Sequence, residues 1–177
     1  MGQHLVLSAV GTDQVGLMER ISRFIQERDA NIEDSRMAVF SGEFAIIMLI
    51  TGSEDGLKSI EASQNELVEL TGLNIFMRRP SEKKYSEPMV PCRLTASSLD
   101  HPGIVHRLTS QLAQSGINIE SMETKSYAAP MSATPMFRFE AIISVPGRIN
   151  LPLLRMDLQS IGEEENIDIE LTVMRER

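Results

Sequence analysis

Apolar positions along this chain follow two rhythms, an alternating one and a helical one, and the series is played twice. Leu5 to Val10 is a short apolar run of strand length. Leu17, Met18, Ile21 and Ile25 then recur at helical spacing on one face, which predicts a helix running to about Arg28 with Asp13 placed as its cap. Ile32 to Phe40 and Glu43 to Ile50 read as strands joined at Ser41-Gly42, a tight hairpin signal. Ser53 is placed to cap a second helix carrying Leu57, Ile60, Leu67 and Val68, and Leu73 to Met77 reads as a fourth strand.

An ungapped offset of 87 residues carries Asp13 onto Asp100, Gly16 onto Gly103, Arg20 onto Arg107, and Asn31-Ile32-Glu33 onto Asn118-Ile119-Glu120. The apolar face repeats with them, as Ile104, Val105, Leu108 and Leu112. Further on, Phe137, Phe139, Ala141, Ile143 and Val145 alternate on one strand, and Ile167, Ile169, Leu171 and Val173 on another. Between them a helix is predicted from near Asn150, with Pro152 in its first turn and Leu151, Leu154, Leu158 and Ile161 buried. The hairpin of this second copy is longer, through 128–135. The expected class is α+β: two tandem ferredoxin-like βαββαβ domains, each an antiparallel four-stranded sheet with two helices on one face. Domains are expected at 1–79 and 90–177, joined by an aperiodic, proline-bearing linker at 80–89.

Charge narrows the function. A net charge of −8 repels phosphate backbones and anionic lipid, so no direct nucleic-acid or membrane partner is expected. The lone Cys92 cannot form an internal disulfide and reads as a buried apolar residue in a reducing compartment. No basic leader and no apolar run of spanning length are read, so the protein is expected to be soluble and cytoplasmic. Each unit of about 80 to 90 residues is small for a lone core, so packing together or homo-oligomerisation is expected.

Catalysis has few footholds. The only histidines are His4, His101 and His106, and the latter two stand five apart, off the spacing at which zinc ligands share a helix face. Walker and dinucleotide glycine patterns are absent, and so is the basic phosphate-cradling loop that acyl-phosphate hydrolysis needs. No enzyme activity, cofactor or metal is expected. What recurs is Asp-x-x-Gly at the first strand-to-helix turn, followed by Asn-Ile opening the second strand. Free helix N-terminal amides attract a carboxylate, glycine permits close approach, and an asparagine amide can face both ends of an amino acid. The competing reading is structural: the aspartates cap helices, the glycines relieve crowding and the asparagines shape turns.

These turns and strands resemble the ACT domain family of amino-acid-sensing ferredoxin-like modules, whose hallmark is a glycine-containing first turn followed by an Asn-Ile-type strand. Both halves carry the pattern. The stretch Asn31-Ile32-Glu33-Asp34-Ser35-Arg36-Met37-Ala38, with Gly42-Glu43-Phe44 and Ile47 to Gly52 after it, is similar to a transcription-regulating branch of that family. The resemblance implies a regulator that responds to glycine or a similar amino acid and acts by binding a LysR-type transcriptional activator. It also implies a ligand held where two modules meet, by the first turn of one and the second strand of the other. The ligand-binding set is then Asp13, Val15, Gly16, Leu17, Asn31 and Ile32, and Asp100, Pro102, Gly103, Ile104, Asn118 and Ile119. Val15 stands where many relatives and the second copy have proline, so equal affinity at the two sites is not implied. The alternative function is a ligand-independent protein-interaction module built from the same sheets.

Overall fold

A computed structural model of the chain describes residues 3–81 and 87–174. It divides at 83/84 into two compact units, each with its own core. Residues 82–86 of the expected 80–89 linker lie outside the described residues, and Met89 already opens the first strand of the second unit.

The first unit runs β1 (Gln3–Thr12), α1 (Leu17–Gln26), β2 (Ala30–Phe40), β3 (Glu43–Gly52), α2 (Glu54–Ala62), α3 (Gln64–Thr71) and β4 (Asn74–Arg78). The second runs β5 (Met89–Leu99), α4 (Ile104–Gln114), β6 (Asn118–Ala128), β7 (Pro135–Pro146), α5 (Leu151–Glu165) and β8 (Asp168–Val173). The sheets are wholly antiparallel, in the orders β2-β3-β1-β4 and β6-β7-β5-β8. This is the ferredoxin-like arrangement twice over.

Strand alternation puts Leu5, Leu7 and Ala9 of β1 and Phe44, Ile46, Met48 and Ile50 of β3 on one face, where α1 covers them with Leu17, Ile21, Phe24 and Ile25. Each such side chain contributes about 1.5–3 kcal/mol by leaving water. Phe137, Phe139, Ala141, Ile143 and Val145 fill the matching face of the second unit. Ser41 (φ 50°) and Gly42 (φ 86°) both lie in the left-handed region, as the expected tight hairpin requires. Asn150 caps α5, its side chain accepting from the Leu153 N–H at 3.1 Å.

Three expectations are corrected. The second helix is two helices, because Ser63 (φ −97°, ψ 20°) leaves the helical region and the Gln64 amide donates to the Ile75 carbonyl at 2.9 Å, drawing α3 onto β4. Asp13 does not cap α1; the N-cap is Gly16, three residues later, and no side chain caps the helix. The helix also stops at Gln26, short of Arg28, whose guanidinium instead covers the Phe24 ring and pairs with Glu66 at 2.6 Å. In the alternating series that runs into β8, Ile167 and Leu171 are buried and Ile169 packs against the core, but Val173 at its end is exposed. Cys92 is buried in the second core, where burial pushes its thiol pKa up against the weaker opposing field of Arg155.

Two features of these units are directly testable. Gly162 lies inside α5 where the chain doubles back at Asn166 (φ 55°), and a Cβ there would stand 2.5 Å from the Ile167 carbonyl oxygen. Gly162→Ala is therefore expected to destabilise by about 1–3 kcal/mol in urea unfolding, although alanine favours helix. Beyond β4, Arg79 grips Glu61 of α2 with two hydrogen bonds, Nε to Oε1 at 2.9 Å and Nη2 to Oε2 at 2.8 Å. The hydrogen bond from Arg79 holds the Glu61 carboxyl below its ordinary range. A lowered folded pKa stabilises the fold above the unfolded-state pKa, and that stabilisation is lost as pH falls through the folded pKa. Glu61→Gln should lose on the order of 0.5 kcal/mol near neutral pH, discounted for partial exposure, and the gap to wild type should close as acid protonates Glu61.

Candidate functional site

The site begins with how β1 ends. The Asp13 N–H donates to the Gly42 carbonyl at 2.8 Å, and the Asp100 N–H to the Pro135 carbonyl at 3.0 Å, so each first strand is tied to the hairpin beside it. The chain must then swing into a helix within three residues. Gly16 (φ 88°, ψ 4°) and Gly103 (φ 103°, ψ −14°) make that turn in the left-handed region, where other residues are strained. Each is the N-cap of its helix, and neither helix has a side-chain cap. Asp13 and Asp100 are exposed and leave those first-turn amides open, so the capping reading of both aspartates fails. The Leu17 N–H alone turns inward, to the Gln14 carbonyl at 3.4 Å.

Around the turns, Val15 and Pro102 are exposed, whereas Leu17 and Ile104 are buried in the cores. Leu17 and Ile104 therefore offer a ligand only their backbone. Asn31 and Asn118 are exposed at the start of β2 and β6, and Ile32 and Ile119 pack partly against the cores just before a register shift in each strand.

Within one unit the turn and the asparagine do not meet. Thr12, leading into the turn, pairs with Glu43 at one end of β3, while Asn31 pairs with Thr51 at the other. The ten residues of α1 separate the two, a span of about 15 Å. Asp100–Gly103 and Asn118 stand apart in the same way across α4. A single unit therefore presents two half-sites at opposite ends of its first helix.

The halves differ in what is free. Arg20 lies next to the first turn, with Nη1 3.6 Å from where a Gly16 side chain would begin. Among the described residues it has no ion pair, and its Nε is buried without a hydrogen-bond partner. The aligned Arg107 is instead held by Glu164 at 2.8 Å and Glu165 at 3.6 Å. Asn118 donates to Glu120 at 2.6 Å, whereas Glu33 is engaged by His4 at 3.1 Å and leaves the Asn31 side chain without a partner among the described residues. Repeat alignment had already set Arg20 on Arg107, so the signal for this arginine was present. The alignment carries no sign of which arginine is paired, because the partners of Arg107 come from α5. The concavities between α5 and β8, of about 170 and 540 Å³ and lined by residues such as Arg155, Gln159 and Asp168, include no residue of either turn in their lining.

Residues 3–78 match the ACT domain family. The match spans most of the first unit, and the second unit repeats the same fold. Over 171 residues the chain is 23% identical to the glycine cleavage system transcriptional repressor of Escherichia coli (strain K12), covering 97% of this chain and 90% of that protein. It superposes on the crystal structure of an unknown protein from Galdieria sulphuraria with a TM-score of 0.81 at 28% identity, covering 99% of this chain and 100% of that one. A second solved structure, proposed to be a glycine cleavage system transcriptional repressor, gives a TM-score of 0.68 at 26% identity with 99% of each chain covered. Among the described residues no helix is long and apolar enough to cross a membrane.

The uncapped turns give a stability signature. Ser53 accepts from the Gly56 N–H at 3.1 Å and caps α2 with its side chain. Ser53→Ala is expected to lose about 1 kcal/mol in chemical denaturation, while Asp13→Ala and Asp100→Ala stay within about 0.5 kcal/mol of wild type.

Proposed function

We propose that this tandem ACT protein is a non-enzymatic, cytoplasmic regulator that senses a small amino acid, glycine or one similar to it. On this reading it acts through a protein partner, a LysR-type transcriptional activator, rather than by gripping DNA. The observation that carries the reading is the open start of α1: amides that no side chain caps, with the unpaired Arg20 beside them. Helix N-terminal donors and a guanidinium together suit a carboxylate. The free Asn31 side chain suits an ammonium group, but it lies at the other end of the unit, so the ligand takes its two ends from two modules and binding is linked to their association. The likeness to repressors of the glycine cleavage system supports the choice of ligand and regulatory role. The net charge of −8 supports a protein partner over a nucleic acid.

On this reading the first unit supplies the stronger carboxylate half-site, since Arg107 is already neutralised by Glu164 and Glu165. Calorimetric titration with glycine, serine and other small amino acids is expected to show saturable binding. Arg20→Ala should weaken it about 10- to 100-fold, the worth of a charged hydrogen bond, and Arg107→Ala less than about twofold. Absence of binding by any amino acid would overturn the sensing reading. If the full chain still captured the activator irrespective of amino acid, the sheets would be ligand-independent interaction surfaces.

A further inference from the structure

The outer faces of the two sheets, the sides turned away from the helices, have opposite chemistry. On β1 the residues alternate with the buried Leu5, Leu7 and Ala9, so Val6, Ser8 and Val10 point outward. Register adds Leu49, Ile47 and Ala45 from β3 and Phe76 from β4. Val10, Ile47 and Phe76 are 50%, 52% and 65% exposed. The second sheet supplies an internal comparison in the same register. Where the first has Val6, Ala45, Ile47 and Phe76, the second has Arg93, Arg138, Glu140 and Glu170. That second face is laced by its own ion pairs, Arg93 with Glu140 at 4.0 Å and Arg138 with Glu140, as a solvated surface is.

We infer that the outer face of the first sheet is a self-association surface, packed in solution against the same face of a second copy of this chain. Charge selects that occupant. A charged surface such as that of Arg93, Arg138, Glu140 and Glu170, laid on Ile47 and Phe76, would be desolvated against apolar atoms, which is costly. A second copy of the first face meets apolar surface with apolar surface. It also overcomes the −8 charge of each chain, because the charged rim is locally balanced: Asp34 and Glu43 against Arg36 and Arg78, with Asp34 and Arg36 already paired. An apolar centre inside a polar rim is the usual anatomy of such an interface. Area agrees as well. β1 and β3 pair along ten rungs, about 30 Å, and four strands span about 15 Å before side chains are added, so two faces bury on the order of 1,000 Å². That reaches the threshold for a specific interface. The surface goes beyond the amino-acid reading and does not rest on it, since it uses none of the residues at the turns.

Sedimentation velocity on the full chain at micromolar concentration tests it. Wild type is expected to run as a dimer. Ile47→Glu combined with Phe76→Glu, which installs the acidic residues of the second sheet at equivalent positions, should weaken the dimer at least tenfold with an unchanged circular dichroism spectrum. Should that double variant fail to fold, Val10→Ser with Phe76→Ser is read the same way. Arg138→Ala with Glu140→Ala, on the second sheet, should leave the dimer intact. A monomeric wild type, a dimer that survives the first-sheet variants, or dissociation caused by the second-sheet variant would each overturn the inference. Amino-acid titration of the same proteins reads the sensing function separately, so the two can fail independently.

Discussion

The transition from β1 into α1 is made by one residue in the left-handed region, and the character of both halves follows from that constraint. Any side chain at Gly16 or Gly103 would strain the turn, at roughly 1–2 kcal/mol for an L-residue. Glycine removes that strain and removes the cap with it. α2 and α5 begin on Ser53 and Asn150, whose side chains close the first turn. α1 and α4 begin on residues that have nothing to close it with. The same geometry that lets the chain turn sharply after being tied to the hairpin leaves a set of backbone donors facing solvent.

Antiparallel order then determines what those donors can work with. Because α1 carries the chain from one end of the sheet to the other, the residues just before it and just after it are at opposite ends of the unit. The asparagine that opens β2 can never reach the turn that precedes α1 in the same unit. A group only a few ångströms long cannot bridge about 15 Å of helix, so no small ligand reaches both the turn and the asparagine of one unit.

Much of this was legible in the residues. Alternation in 137–145 and the helical spacing of Leu17, Ile21 and Ile25 identify core positions directly, since burial on one face imposes a period that few other constraints imitate. The Ser41-Gly42 hairpin and the Ser53 cap were equally readable, because each rests on a local hydrogen bond or backbone preference. The break at Ser63 was not, since Leu57, Ile60 and Leu67 keep one apolar face across it and the cause, the Gln64 contact to Ile75, is long-range. Asp13 misled for a related reason: its spacing before the helix suits a cap, but its backbone is committed to Gly42 across the sheet. The freedom of Arg20 was hidden by symmetry, for the aligned arginines differ only in whether glutamates from a distant helix reach them.

Divergence between the copies has run in one direction at three separate places. Among the described residues Arg20 has no ion pair and Asn31 no side-chain partner, whereas Arg107 is held and Asn118 is engaged; the outer face carries Ile47 and Phe76 in one unit and glutamates in the other. Arg20 Nε is buried without a hydrogen-bond partner, as Arg28 Nε is in the same unit, and a duplicated scaffold gains nothing in stability from such a donor. Nor does it gain by keeping Phe76 exposed where a glutamate is tolerated in the same register. The two copies thus keep one scaffold and one uncapped turn while differing in which charged groups are paired within the unit.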